Sequence, residues 1–141
     1  MSFVVSMGVA RPPSVVVGTD IIEVSRVAES IGWFGERYIS RIYTPDEASY
    51  CVAAGPTAAL HFAARFAAKE AAIKVLRPAS GVAMNWKAIE VVRGADGWCD
   101  LRLHGAMRTL ARRAGLRAFA VSLSHEERYA TAVVVAERNR T

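Results

Sequence analysis

Lysine is nearly missing from this chain: of eighteen basic residues only Lys69, Lys74 and Lys87 are lysines, and arginine dominates a net charge of +5. Arginine's planar fork suits carboxylate and phosphate partners. No dense basic run is present, however, which argues against a nucleic-acid-binding role. Cysteine is equally scarce, with Cys51 and Cys99 alone. They form no CxxC pair and have no histidine at zinc-ligand spacing, so two buried thiols in a reducing, cytoplasmic compartment are expected. Charges interrupt every long apolar stretch, which excludes a membrane-spanning helix. No basic residue precedes the short apolar patch at the start, which argues against a secretory signal. The GxxxxGK[ST], GxGxxG and GxSxG patterns are absent, setting aside P-loop kinases, Rossmann dehydrogenases and α/β-hydrolases.

What is present suits one domain: 141 residues, 52% hydrophobic and 22% charged, enough for a core without disulfide or metal staples. Residues 1–13 are expected to be a loose extension ended by Pro12 and Pro13, with Met7 an alternative start, and 14–141 the domain. Val15 to Ile22 is rich in β-branched residues and predicts a buried strand. Two short helices follow, Ser25–Ser30 and Glu36–Ile42, separated by Gly32 and Gly35. Thr44-Pro45-Asp46-Glu47 is a helix start, with Thr44 as cap, Pro45 in first position and Glu47 closing a capping box. Thr57 to Leu76 is alanine-rich, free of Gly and Pro, and predicts one long helix. Strands over 88–93 and 100–104 meet at Gly94-Ala95-Asp96-Gly97. A short helix over Gly105–Ala114 and strands over Phe119–Ser124 and Tyr129–Ala136 complete the order β-α-α-α-β-β-α-β-β. That order predicts an α+β fold with a mainly antiparallel sheet packed on the long helix.

Two carboxylates interrupt this pattern. Glu70 falls within the helical apolar stripe of Phe62, Phe66, Ile73 and Leu76. Asp20 shares a strand face with Val16, Gly18 and Ile22. A carboxylate on a buried face is costly unless paired or bound to metal. Three readings fit: one cation shared by both, an arginine for each, or a strand that ends at Thr19 and leaves Asp20 as a helix cap. Two carboxylates with water and substrate phosphates is a common way to hold Mg²⁺. Lys74, one turn after Glu70, fits either an i,i+4 pair or a substrate phosphate. Arg65 and Lys69 are also i,i+4 and are expected on a solvated face. His125, after Ser124 at a strand end, fits a solvated turn or a phosphate and proton-transfer role. His61 and His104 show no evident partner.

Gly18-Thr19-Asp20-Ile21-Ile22, Arg65-Phe66-Ala67-Ala68-Lys69-Glu70-Ala71 with Lys74, and Ser124-His125 before Tyr129-Ala130 resemble the holo-acyl-carrier-protein synthases, the small 4′-phosphopantetheinyl transferases. Tyr43–Glu47 is similar to that family's FTPEE segment and Ser80–Val91 to its G-I-x-W-x-x-I-E-V stretch. The resemblance runs from about Val15 to Glu137. It implies transfer of the phosphopantetheine arm of coenzyme A to a serine of an apo acyl carrier protein, leaving adenosine 3′,5′-bisphosphate. It implies Asp20 and Glu70 as magnesium ligands, Lys74 at the diphosphate, and His125 and Arg65 near the nucleotide. It further implies a homotrimer with sites between protomers, and an acidic carrier docked on the helices after the first strand, with Arg26 a docking residue. The base that takes the serine proton is open: a metal-bound water, Glu47 and Asp46 are the candidates. Fatty-acid and polyketide pathways both fit. The chain departs from the family at Ile31–Glu36, where basic residues are common. Trp33 and Phe34 there are core residues if buried, and carrier-docking residues if exposed. Cys99 stands where the family often has proline.

Overall fold

A computed structural model describes residues 13–139; the expected extension lies almost wholly outside them. The order is β1 (Val15–Glu23), α1 (Val24–Phe34), α2 (Glu36–Ile42), α3 (Pro45–Ala53), α4 (Ala58–Leu76), β2 (Ile89–Arg93), β3 (Cys99–Leu103), α5 (Gly105–Arg113), β4 (Leu116–His125) and β5 (Tyr129–Arg138). The α+β class and the element order are as expected. The strands, however, divide into an antiparallel three-stranded sheet, β1-β5-β4, and a separate β2-β3 ribbon. Several boundaries move, among them the start of β4, at Leu116 rather than Phe119, and the end of β5, at Arg138 rather than Ala136. Helix α1 runs through Gly32 to Phe34, because Gly35, at φ +53°, is the residue that breaks it. The long helix starts at Ala58, after a 3₁₀ turn over Gly55–Thr57. The Thr44 cap is as read, with the capping box formed in both directions.

Helix α4 lies across one face of the sheet, and small residues on both sides let it approach. Ala67, Ala68, Ala71 and Ala72 are fully buried against Ala132, Val134 and Ala136 of β5, and Ala63 and Ala64 share a second cluster with Ala130. On β1 the same closeness requires Gly18, where an added Cβ would lie 2.2 Å from the carbonyl oxygen of Ala71. Backbone cannot yield as a side-chain tip can, so Gly18→Ala is expected to cost about 3 kcal/mol or more. A denaturant midpoint unchanged from wild type would refute that contact.

The alanine seam corrects one expectation about α4. The helix is buried nearly all round, and its half-exposed strip is Phe66, Glu70 and Ile73, with Lys74 open beside it. Of the stripe expected to be core, Phe62 and Leu76 are buried as read, while Phe66 and Ile73 stand half-exposed beside Glu70.

Among the described residues nothing covers the opposite sheet face. Val17 and Ile21 are 59% and 61% exposed, and Val15 and Val133 are also open. Among the described residues no helix is long and apolar enough to cross a membrane.

Candidate functional site

β1 continues through Asp20 to Glu23, so Asp20 is a strand residue and not a helix cap. Its side chain meets α4 where the Gly18 contact brings strand and helix together. The Lys74 ammonium donates to the Thr19 carbonyl at 2.7 Å and to Asp20 Oδ1 at 3.3 Å. No arginine pairs with either carboxylate among the described residues. Asp20 Oδ2 is buried without a hydrogen-bond partner. Burial pushes the Glu70 carboxyl above its ordinary pKa, the Asp20 charge adds to the push, and Lys74 opposes it. An orphaned carboxylate oxygen beside a second strained carboxylate is a donor set a hard divalent cation fits. No group of three or more His, Cys, Asp or Glu forms a metal cluster among the described residues. A cation here would take two protein ligands and complete its shell from water or substrate.

Arg65 and His125 are also brought together, on the other side of α4. They line a pocket of about 250 Å³ with His61, Arg93, Trp98 and Cys99. Arg65 and Glu70 are five residues apart, about 140° around the helix. Across the sheet, Asp20 pairs with Ala132 and Ala132 with Leu123. Asp20 thus stands on one edge strand, and His125 lies on the opposite edge strand with β5 between. The pocket carries no carboxylate. Arg65 is 3% exposed, its guanidinium carbon lies 4.2 Å from the Tyr50 ring centre, and its Nε has no partner. Arg93 donates to the Tyr50 hydroxyl from the other side. Among the described residues Arg65 has no carboxylate partner, and a buried guanidinium of this kind could hold an anion.

Histidine 61 belongs to this cluster, its ring centre 5.2 Å from that of His125. Burial lowers its pKa below the ordinary 6.5, and the charges of His125, Arg65 and Arg93 lower it further. With the folded value below the unfolded one, the neutral ring's stabilisation is complete above 6.5 and is lost as pH falls through the folded value. Thermal melts should therefore drop between pH 7 and pH 5, and His61→Gln should flatten the drop. An equal drop in the variant would place the acid lability elsewhere.

Lys69 corrects the expectation of a solvated face most sharply. It is fully buried, donating to Glu47 Oε1 at 2.8 Å and to the carbonyls of Trp86 and Ile89. Glu47 also accepts from the backbone N–H of Thr44 and of Val91. A carboxylate so enclosed and so bonded is no base for a substrate serine, and Glu47 leaves the list of candidates. Thr44 and His104 both bond Glu90. Burial pushes the Glu90 carboxyl up, but those two hydrogen bonds outweigh it and hold its pKa below the ordinary value. The sequence marked the capping role of Glu47 but not its partner 22 residues away. The thiols divide as well: Cys51 is buried and pushed up to about 12 by burial, whereas Cys99 is half-buried in the pocket wall.

Arg26 stands on α1, its side chain 81% exposed, held by Glu23 at 3.2 Å. It borders a groove of about 480 Å³ with Ile22, Tyr38 and Phe66, next along the chain from Asp20 and Glu70. Trp33 and Phe34 are not core residues. They are 74% and 55% exposed and packed edge to face on each other.

A family model described as the 4′-phosphopantetheinyl transferase superfamily matches residues 16–134. The chain belongs to that superfamily. Among its relatives, a holo-[acyl-carrier-protein] synthase of Koribacter versatilis is 43% identical over 85% of this chain and 95% of its own. One from Moorella thermoacetica is 45% identical over 85% and 91%. Two solved structures agree with the transferase fold. A Chronobacterium ammoniagenes ACPS–CoA complex superposes with a TM-score of 0.77, 28% identity, and coverage of 91% of this chain and 100% of that one. A Neisseria meningitidis holo-[acyl-carrier-protein] synthase gives 0.74 at 31% identity, covering 86% and 97%. This transferase is an enzyme, and both the Asp20 cluster and the Arg65 pocket lie within the matched residues.

Proposed function

We propose that the protein is a magnesium-dependent holo-acyl-carrier-protein synthase: it moves phosphopantetheine from coenzyme A to a carrier serine and releases adenosine 3′,5′-bisphosphate. The observation that carries this is the Asp20–Glu70–Lys74 cluster, with its orphaned Asp20 oxygen and its raised Glu70 pKa, in a chain whose relative binds coenzyme A. Asp20 and Glu70 would hold Mg²⁺, and the bound ion supplies charge neutralisation at the diphosphate. Lys74, half exposed at the rim, places a second positive charge where negative charge develops on the leaving bisphosphate. The serine oxygen bonds the phosphorus that carries pantetheine, the bond to the adenosine phosphate breaks, and the serine proton passes to a base other than Glu47.

Arg65 and His125 take the nucleotide end in the same reading, through the carboxylate-free pocket they line. Because that pocket and the Asp20 cluster stand at opposite edges of one sheet, one coenzyme A spans them by joining the Asp20 edge of one protomer to the His125 edge of the next. Such a head-to-tail contact closes into a ring, and the uncovered Val15, Val17, Ile21 and Val133 face supplies apolar surface for a trimer. Two separately impaired variants, Glu70→Gln and Arg65→Ala with His125→Ala, should then regain activity at low Mg²⁺ when refolded together. Mixed trimers with no regained activity would contradict the shared site.

On α1, Arg26 is the anchor for an acidic carrier, and the exposed Trp33 and Phe34 give it apolar contact where the family uses charge. A cytoplasmic, magnesium-rich and reducing location fits the free thiols, and fatty-acid and polyketide carriers remain the substrate classes. The reaction is tested by chromatography of coenzyme A incubated with apo carrier protein. Bisphosphate should form only with Mg²⁺ and carrier together, and formation without either overturns the proposed reaction.

A further inference from the structure

A second groove, of about 640 Å³, lies between β3, α5 and β4; His104, bonded to Glu90, lines it, but no residue of the Asp20 cluster or of the Arg65 pocket does. Its walls are Arg102, Arg108, Arg112 and Arg117, and its floor includes Leu103, Leu116 and Phe119. Arg117 has one exposed carboxylate partner, Glu137, at 3.6 Å. Among the described residues the other three arginines make no ion pair. Helix α5 contains no acidic residue, and Arg112 and Arg113 close its last turn. The lower wall follows a bulge in β4 between Arg117 and Ala120, where Ala118 takes φ +52°. That bulge turns the strand and leaves Phe119 half-buried at the groove floor.

The position separates this groove from the transfer site. It lies where Leu116 pairs with Arg138, the sheet end that also holds Val15. The Arg26 surface lies at the other end, beside Ile22 and Glu23, about 24 Å away along β1.

We propose that this groove docks an acidic amphipathic helix of a protein partner. The groove lining is one-sided in charge: it holds four arginines and no carboxylate, and the carboxylates against them are Glu137 beside Arg117 and Glu90 across the strand pair from Arg102. The apolar floor selects the kind of anion. Nucleic acid would satisfy the arginines with phosphates but leave the half-buried Leu103 and Phe119 uncovered, and the groove offers no exposed Trp, Tyr or Phe for bases to stack on. A helix with leucines on one face and carboxylates flanking them covers both. Arg108 and Arg112, one turn apart on α5, match carboxylates at the same spacing on a partner helix. This inference does not rest on the transfer reaction and survives its failure.

The test is fluorescence anisotropy with a labelled, three-turn peptide that carries Leu along one face and Glu along its flanks. A scrambled peptide of equal charge and a single-stranded DNA oligonucleotide are the comparisons. Arg108 and Arg112 are exposed, so the Arg108→Glu/Arg112→Glu variant should melt as wild type does. It should bind the amphipathic peptide about tenfold or more weakly, and the scrambled peptide should bind wild type at least about tenfold more weakly than the amphipathic one. Equal binding of the two peptides would reduce the groove to bulk charge and overturn the proposal. So would tighter binding of the oligonucleotide, or a variant that binds the peptide as wild type does.

Discussion

Glu70→Gln is expected to lower kcat/KM for transfer on the order of a hundredfold or more while leaving the fold as stable as before or more so. The two effects point in opposite directions for one reason. Burial and the neighbouring Asp20 disfavour the charged form of Glu70, which is why its pKa is raised. Replacing the carboxylate with an isosteric amide removes that conflict from the metal-free protein. It also removes a hard anionic ligand, so the residual activity should demand far more Mg²⁺ than wild type does. Asp20→Asn should lose transfer alike, but it also weakens the ion pair between Lys74 and Oδ1, so no gain in stability is expected from it. Initial rates over a Mg²⁺ series, beside a thermal melt, check both halves. A Glu70→Gln enzyme with full activity at low Mg²⁺ would remove the carboxylate pair from the mechanism. A variant that melts much lower would make Glu70 a structural residue.

Lys69→Met should be among the most destabilising single changes in the chain, at about 3–5 kcal/mol, because it leaves Glu47 charged and buried without its counter-ion. For a chain of this size that is a fall of roughly 10–20 °C in Tm. Lys69 is fully enclosed, and its ammonium meets one carboxylate and two carbonyls from the segment before and at the start of β2. The double variant Lys69→Met/Glu47→Gln should recover part of the loss, since the remaining amide still accepts from the backbone of Thr44 or Val91. Denaturant midpoints of the single and double variants form the cycle. A loss below about 1 kcal/mol for Lys69→Met would mean that water reaches the pair. The effect should reach function through position: this pair ties α3 and α4 to β2, and β2 carries Arg93 into the cationic pocket.

How these features read from the sequence depended on the reach of each signal. The Thr44 capping box, the end of the long helix before Pro78 and the Gly94–Gly97 turn were legible because each is decided within a few residues. So were Asp20 and Glu70 as misfits on apolar faces, because periodicity exposes a charge in the wrong place. Periodicity did not reveal that α4 is buried on almost every side. Its alanines look neutral in sequence, and their meaning comes from Ala130, Ala132 and Ala136 arriving from β5. For the same reason Lys69 and Arg65 read as surface charges, though the groups that bury them lie tens of residues away. The division of the strands into a sheet and a ribbon was equally hidden, since hairpin signals specify neighbours and not which edges join. Trp33 and Phe34 go against the habit of large aromatics. Both stand in the last turn of α1, whose buried residues, Val24 and Val27, lie in its first half.

The most direct measurement is the intact mass of an apo acyl carrier protein after incubation with this enzyme, coenzyme A and Mg²⁺. The carrier should gain one phosphopantetheine on its serine, and the gain should vanish with chelator or with Glu70→Gln at low Mg²⁺. No gain with any of several fatty-acid and polyketide carriers, under conditions where the protein is folded, would contradict the transfer reaction.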